Sequence, residues 1–114
     1  MTTDECVFCQ IVKGTVPADK VAESEHALAF RDVAPQAPVH VLIIPKRHFT
    51  SMNELPDGSV VGAMTMLAKQ VAKELELAEK GYRVVINTGK HGGQTVDHIH
   101  LHLLGGRKMK WPPG

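Results

Sequence analysis

The chain has 114 residues, and its 13 Lys and Arg against 12 Asp and Glu give a formal net charge of +1 at pH 7. This length suits one domain with a single core, and the balanced charge offers no basic surface for nucleic acid. No apolar run is long enough to span a membrane, and the first residues lack the regions of a signal peptide. We therefore expect one cytoplasmic domain over residues 1–114 that binds neither nucleic acid nor membranes.

Near the start, Cys6 and Cys9 form a Cys-x-x-Cys motif on a short apolar segment that ends at Gly14 and is predicted to form one or two helical turns. A disulfide is disfavoured in a reducing compartment. A thioredoxin-like redox motif requires a βαβ context, which the chain lacks. The motif is therefore either half of a zinc site that needs two more ligands or a pair of buried thiols acting as small apolar side chains.

Two strands are predicted next, over residues 26–32 and 40–45, and the second is almost continuously apolar and ends at a proline. Asp32 stands at the end of the first strand, where its carboxylate either binds sugar hydroxyls or caps the Pro-rich turn that follows. His40 begins the second strand, either as a partner of a histidine site or simply as a strand-end residue. His48 lies in the loop after it.

An amphipathic helix of about five turns is predicted between start signals at Asp57 and Ser59 and end signals at Lys80 and Gly81. Its apolar residues recur at spacings of three and four, as on one face of a helix. These residues are Val60, Met64, Leu67, Val71 and Leu75. A further strand is predicted over residues 82–87.

Asn87 opens a loop with three glycines over residues 88–95, which leads directly into a histidine-rich segment. Glycines permit close backbone approach to a ligand, and successive N–H groups can form a nest that binds anions. The loop is not a Walker motif, because the Gly-Lys-Ser/Thr sequence and a following helix are absent. Taken alone, it is equally a hairpin loop without a ligand.

Residues 97–104 place His98, His100 and His102 at alternate positions. On a strand the three imidazoles share one face at spacings of about 7 Å, and Ile99, Leu101 and Leu103 share the other. Histidine is not a strong strand former and needs hydrogen-bond partners when buried, so the row indicates a site. Either the imidazoles bind one metal ion, or one is a nucleophile or base that its neighbours orient.

The histidine row resembles the motif of the histidine-triad superfamily, in which three histidines alternate with apolar residues. Similarity to the Hint branch extends over residues 29–32, 35–38, 40–45, 92–95, 104–107 and 111–114. The resemblance implies an α+β fold with a five-stranded antiparallel sheet, one long helix and one short helix. It also implies a homodimer in which two sheets join into a ten-stranded sheet.

The Hint resemblance implies hydrolysis of purine nucleoside 5′-phosphoramidates and related adenylates to the nucleoside monophosphate. Under this hypothesis His100 is the nucleophile that becomes nucleotidylated, His102 contacts the phosphate, and His98 and His40 support them. Thr95 replaces a serine that serves the phosphate or the leaving group. The remaining implied nucleotide contacts are Asp32 and Val33 at the ribose, and Asn87, Gly93 and Gln94 on the phosphate side.

The chemistry implied by the resemblance needs no catalytic metal and no organic cofactor. Zinc-binding histidine-triad proteins add two histidines to a cysteine pair, and the matching positions here are His48 and His98, which with Cys6 and Cys9 imply a structural zinc. Asp97 departs from a position that is commonly aromatic, and we expect its carboxylate to raise the pKa of nearby imidazoles. The alternatives are dinucleoside polyphosphate hydrolysis and a regulatory or scaffold protein that binds purine nucleotides and hydrolyses them incidentally.

Overall fold

A five-stranded antiparallel sheet forms the centre of the computed structural model, which describes residues 5–114. In chain order the elements are helix α1 (Val7–Lys13), strands β1 (Lys20–Glu23), β2 (Ala27–Arg31) and β3 (Val39–Pro45), a 3-10 turn (Met52–Glu54), helix α2 (Ser59–Glu74), strand β4 (Arg83–Ile86), helix α3 (Gly89–Gly92) and strand β5 (Leu101–Gly105). The strand order is β1-β2-β3-β5-β4. The α+β fold and its sheet are therefore confirmed.

The two faces of the sheet bury different side chains because neighbouring residues of a strand point in opposite directions. Ala27, Ala29, Val41 and Ile43 pack with helix α2 in the larger core. Their chain neighbours Leu28, Phe30, Leu42 and Ile44 pack with helix α1 in a smaller core. Helix α1 therefore covers the face of the sheet opposite to helix α2.

The histidine row is only partly in the sheet, because strand β5 begins at Leu101 and His98 and His100 precede it outside any strand. Antiparallel pairing places His102 opposite Leu42 and Leu104 opposite His40. The predicted alternation holds through the row, since Ile99, Leu101 and Leu103 are all fully buried in the larger core. The ring centroids of His100 and His102 lie 5.0 Å apart, closer than the 7 Å expected from strand spacing.

Helix α2 ends at Glu74, six residues before the predicted stop at Lys80, so that prediction is wrong. The chain leaves the helix through Glu76, whose φ of 61° no helix interior adopts. The helix start also differs, because Gly58 is the N-cap and Asp57 instead accepts a hydrogen bond from the Ser59 N–H at 2.8 Å.

Two further elements differ from the prediction. Strand β1 is too short and too polar to show the alternation by which the other strands were predicted. Part of the predicted glycine loop is the single turn of helix α3, closed by Gly93 with a φ of 82°. Within residues 5–114 no helix is long and apolar enough to cross a bilayer. The prediction that a signal peptide is absent rests on the first residues, and residues 1–4 lie outside the described part.

Close packing at Gly105 generates a test of the fold. A Cβ atom there would lie 2.7 and 2.8 Å from the two terminal carbons of the buried Leu77 side chain. We expect Gly105→Ala to lower the free energy of unfolding by about 1–3 kcal/mol through overpacking. The control is Gly62→Ala in helix α2, where no atom lies within 4 Å and the change should stabilise by about 0.5–1 kcal/mol. Urea unfolding measures both, and a Gly105→Ala protein as stable as the wild type would contradict this packing.

Candidate active site and metal centre

The segment immediately before strand β5 is held in place by its main chain. The Ile99 N–H donates to the Phe49 carbonyl at 2.8 Å, which ties the segment to the loop after strand β3. His98 and His100 are buried, at 0% and 3% exposure. The Phe8 ring of helix α1 contacts both imidazoles edge-on, with centroid distances of 5.8 and 5.2 Å. The two histidines are therefore fixed from both sides.

His100 has one ring nitrogen committed and one free. Its Nδ1 lies 2.8 Å from the main-chain carbonyl oxygen of His98. A carbonyl oxygen only accepts hydrogen bonds, so Nδ1 carries the proton and Nε2 keeps an unshared electron pair. The arrangement is that of an oriented imidazole suited to nucleophilic attack through Nε2.

His40 and His102 form a second ordered pair. The Gln36 N–H donates to His40 Nδ1 at 3.0 Å, which places the proton of a neutral His40 on Nε2. His40 Nε2 then donates to His102 Nδ1 at 2.9 Å, with Asp32 Oδ2 at 3.4 Å from the same nitrogen. The proton of neutral His102 is consequently on Nε2, as a donor beside His100.

Burial keeps these imidazoles uncharged. Burial lowers the pKa of His102 to about 4. The positive charges that His100 and His40 can carry lower it further, and the Asp32 carboxylate has a smaller opposing effect. Burial likewise lowers the pKa of His40, against Asp32. The pKa of His98 is lowered to about 4, again chiefly by burial. Asp97 is exposed, and the rise expected from its carboxylate is wrong for His98, where desolvation dominates.

The three histidines of the row do not converge on one metal ion. Within residues 5–114, His98 groups with Cys6, Cys9 and His48, whereas His102 groups with Asp32 and His40, and His100 joins neither set. The second set is a poor metal site, because His40 already carries its proton on the nitrogen that faces His102. Binding a metal there while Nδ1 accepts from Gln36 would require an anionic imidazole.

The first set, which we call the cysteine–histidine cluster (Cys6, Cys9, His48 and His98), has the shape of a metal centre. Tetrahedral zinc with the usual bond lengths separates two nitrogen ligands by about 3.3 Å and a nitrogen and a sulfur by about 3.6 Å. Here the two Nδ1 atoms lie 3.2 Å apart. Cys9 Sγ is 3.3 Å from His48 Nδ1 and 3.5 Å from His98 Nδ1, and Cys6 Sγ is 3.3 Å from His98 Nδ1.

The proton positions also fit metal binding. His98 Nε2 lies 2.9 Å from the Pro45 carbonyl and donates to it, so its Nδ1 electron pair faces the cluster. Metal-ligating histidines commonly donate their other N–H in this way. Burial raises the pKa of the Cys9 thiol to about 11, with Cys6 adding to the rise, so a bound cation must displace the thiol protons.

An apolar cavity of about 520 Å³, which the sequence did not reveal, lies between helix α1 and the sheet. We call it the apolar cavity; its wall includes Phe8, Ile11, Phe30 and Leu42, with Asp32 and Val33 also lining it. The Phe8 and Phe30 rings meet edge-on at 5.6 Å. Phe8 also contacts His100, so one residue of the cavity wall touches the oriented imidazole. The cavity has the size and polarity to take a flat heterocycle.

The two residues predicted at the ribose lie at the edge of this cavity. Asp32 caps the turn as expected, since Oδ1 accepts from the Ala34 N–H at 2.8 Å. Its Oδ2 lies 3.4 Å from His40 Nε2, and the expected contact with sugar hydroxyls stays a prediction. Val33 is fully exposed. Of the other predicted contacts, Thr95 is exposed and Asn87 is half-buried.

The glycine loop does not form the predicted nest of free N–H groups. The N–H groups of Gly93 and Gln94 donate to the carbonyls of Lys90 and Gly89 at 3.2 and 3.1 Å. The Gly89 N–H donates to the Gln94 side chain at 3.0 Å, and the amide of Gln94 donates to Thr50 and Val96 carbonyls at 2.6 and 3.0 Å. Gln94 therefore ties helix α3 to Thr50, in the loop after strand β3, and to Val96. The prediction of a nest is wrong for these three N–H groups.

A family model for the HIT domain matches residues 13–109. The chain belongs to the HIT family. An uncharacterized HIT-like protein from Synechococcus elongatus is 48% identical over 114 residues, which cover 98% of this chain and 99% of that protein.

Solved structures of HIT proteins share the fold described above. The crystal structure of a HIT family hydrolase from Legionella pneumophila is 50% identical with a TM-score of 0.93, and the match covers 96% of this chain and 100% of that one. A zinc-bound histidine triad family protein from Mycobacterium smegmatis is 36% identical with a TM-score of 0.84, and the match covers 93% and 78% of the two chains. This HIT chain is thus hydrolase-like in both sequence and fold.

The lowered pKa of His102 predicts a loss of stability in acid. The unfolded imidazole takes up a proton near pH 6.5, whereas the folded one stays neutral down to about pH 4, so the free energy of unfolding falls as the pH falls through this interval. We expect a shallower fall for His102→Gln. Urea unfolding of both proteins, in the same metal condition, measures the two slopes. Equal slopes would contradict the assigned pKa.

Proposed function

We propose that this HIT protein hydrolyses the P–N bond of purine nucleoside 5′-phosphoramidates and related adenylates through a nucleotidyl–His100 intermediate. The observation that supports it most directly is the 2.8 Å contact from His100 Nδ1 to the His98 carbonyl, which leaves Nε2 free to attack phosphorus. The similar protein from Legionella pneumophila is a HIT family hydrolase. The substrate assignment follows from the Hint resemblance together with the cavity.

In this proposal the base occupies the apolar cavity, whose aromatic and aliphatic wall suits a purine, and the ribose hydroxyls face Asp32 and Val33. The phosphorus then lies against His100. His102 donates from Nε2 to a non-bridging oxygen, because its Nδ1 is occupied by His40. Asn87, Gly93 and Gln94 stay on the phosphate side, with Gln94 shaping the loop through its amide contacts.

The reaction follows from these assignments. His100 Nε2 attacks phosphorus, the P–N bond breaks, and the amine leaves with its electron pair. An amine leaves readily only when protonated, so the Thr95 hydroxyl relays a proton from solvent to the leaving nitrogen. Water then attacks phosphorus, the bond from phosphorus to His100 Nε2 breaks, and the proton of the water returns to solvent. The products are the nucleoside monophosphate and free His100.

The nucleophile is tested by His100→Ala, which should lower turnover of an adenosine phosphoramidate by at least about a thousandfold because covalent catalysis loses its attacking atom. The control His26→Ala removes an imidazole with a 74% exposed side chain that belongs to neither histidine group, and should keep wild-type turnover. Mass spectrometry of enzyme quenched during turnover should find the adduct on His100. An adduct on another residue, or near-normal turnover by His100→Ala, would refute the mechanism.

The same assay separates the two alternative functions. Efficient cleavage of a dinucleoside polyphosphate with little turnover of the phosphoramidate would indicate the first alternative. Tight purine nucleotide binding with negligible turnover of either substrate would indicate a regulatory or scaffold protein.

We further propose that the cysteine–histidine cluster binds a structural zinc ion. Four protein ligands fill a tetrahedral site and leave no open position for a substrate, so the ion stabilises the fold and takes no part in the reaction. The donor set, the near-tetrahedral spacing and the existence of a zinc-bound HIT neighbour support this proposal.

Zinc is tested with Cys9→Ser, which removes a thiolate ligand. Purified without chelators, the wild type and the His26→Ala control should carry one zinc per chain, and Cys9→Ser should lose it. Because ligand binding to the folded state raises stability, the variant should melt at least about 5 °C lower. Elemental analysis and thermal denaturation measure both effects. A wild-type protein without zinc, or an unchanged melting midpoint, would count against the site.

We also propose a homodimer joined at strand β4 into a ten-stranded sheet. Strand β4 is an edge of the sheet, and exposed sheet edges are normally covered or blunted. Val84 on this strand is 45% exposed, and Met66 on helix α2 is 62% exposed. Both observations favour a covered surface over a solvated one.

Light scattering at micromolar concentration should give about 25 kDa, twice the chain mass of 12.4 kDa. Val84→Lys should shift the mass toward the monomer, because a charge would be buried against the partner. Val33→Lys is the matched control at a fully exposed valine and should leave the mass unchanged. A monomeric wild type would overturn the dimer.

A further inference from the structure

Helix α1 links the cysteine–histidine cluster to the apolar cavity. Cys6 caps the helix by accepting from the Cys9 N–H at 3.4 Å, and both thiols belong to the cluster. From the same seven residues, Phe8 and Ile11 form part of the cavity wall. Any displacement of this helix therefore changes both sites together.

His98 provides a second link, through its own main chain. Its ring belongs to the cluster and donates to Pro45, while its carbonyl oxygen holds His100 in the tautomer that leaves Nε2 free. The rings of Phe8 and His98 also meet at 5.8 Å. One residue thus contacts the metal ligands on one side and orients the proposed nucleophile on the other.

Helix α1 cannot hold this position by its own hydrogen bonds. Isolated helices shorter than about 12 residues are marginal in water, and this one has seven. Without a cation, the cluster is joined only by thiol and imidazole contacts, in which sulfur is a weak donor and acceptor. A metal ion is the interaction that would fix both ends of the cluster.

We propose that the cysteine–histidine cluster and the nucleotide site are thermodynamically coupled, so that zinc binding strengthens nucleotide binding and nucleotide binding strengthens zinc binding. Cys6, Cys9 and His48 act as positioning residues for helix α1 and His98, and no ligand of the cluster touches the nucleotide through its side chain. This inference rests on the proposed nucleotide function. Coupling is reciprocal by thermodynamic necessity, so it can be measured from either site.

AMP is a suitable probe, since it is the product of the proposed reaction and is not turned over. Zinc affinity is measured by competition with a chromophoric chelator, with and without saturating AMP. We expect AMP to tighten zinc binding about tenfold, within the range usual for coupled sites. Calorimetry should find AMP binding tighter by the same factor to zinc-loaded protein than to chelator-treated protein. A zinc affinity that AMP leaves unchanged would overturn the coupling.

Two variants of helix α1 show whether the link runs through the cavity wall. Phe8→Leu keeps all four cluster residues but removes the ring that contacts His98 and His100, so the effect of AMP on zinc affinity should largely disappear. Val12→Ala is the matched control, a half-buried apolar residue of the same helix that does not line the cavity, and it should retain the wild-type factor. Equal factors in the two variants would show general stabilisation instead and overturn the proposed path.

The link through His98 has its own readout. In zinc-loaded protein, nitrogen NMR should show His100 as a single tautomer protonated at Nδ1. In the chelator-treated protein the signals should shift toward a mixture as the His98 carbonyl loses its fixed position. Unchanged His100 signals would overturn this part of the proposal.

The binding experiments also separate this inference from the function on which it rests. AMP that binds neither the zinc-loaded nor the chelator-treated protein would refute both the nucleotide function and the coupling. AMP that binds both forms with equal affinity would leave the nucleotide function standing and refute the coupling alone.

Discussion

The hydrogen bond from His100 Nδ1 to the His98 carbonyl is the interaction on which the candidate active site depends. It decides which nitrogen of His100 is free, and with it whether the ring can attack or only donate. The bond requires the His98 carbonyl to lie outside the strand ladder, because a carbonyl engaged in a ladder would be directed along the sheet. The start of strand β5 at Leu101 meets this requirement.

The second histidine pair is ordered by the same means. The Gln36 N–H sets the proton of His40, and His40 in turn sets the proton of His102, so a main-chain donor determines a tautomer two rings away. Burial keeps these rings neutral, which preserves the donor and acceptor assignments at pH 7. Backbone groups therefore organise the site. They determine which nitrogen of each uncharged imidazole carries the proton.

The sequence was sufficient where a local pattern decides the outcome. The period of two in the histidine row predicted its buried apolar side. The Cys-x-x-Cys motif indicated half of the cysteine–histidine cluster, and the family resemblance supplied His48 and His98, the other half. Strand β1 and the end of helix α2 were missed, because pairing and packing partners define them more than composition does. The apolar cavity was also missed, since Phe8, Phe30 and Leu42 come from three separate elements and no spacing relates them.

The prediction of an anion-binding nest was wrong for a physical reason that also explains the site. Glycines permit the conformation of a nest, but free N–H groups are used by the nearest acceptor, and here helix α3 and the Gln94 side chain use them. Under the proposed function, phosphate recognition then relies mainly on the side-chain donor of His102, with Asn87, Gly93 and Gln94 on the phosphate side. This shift places more of the chemistry on the histidine segment, the part of the chain that the cysteine–histidine cluster also holds.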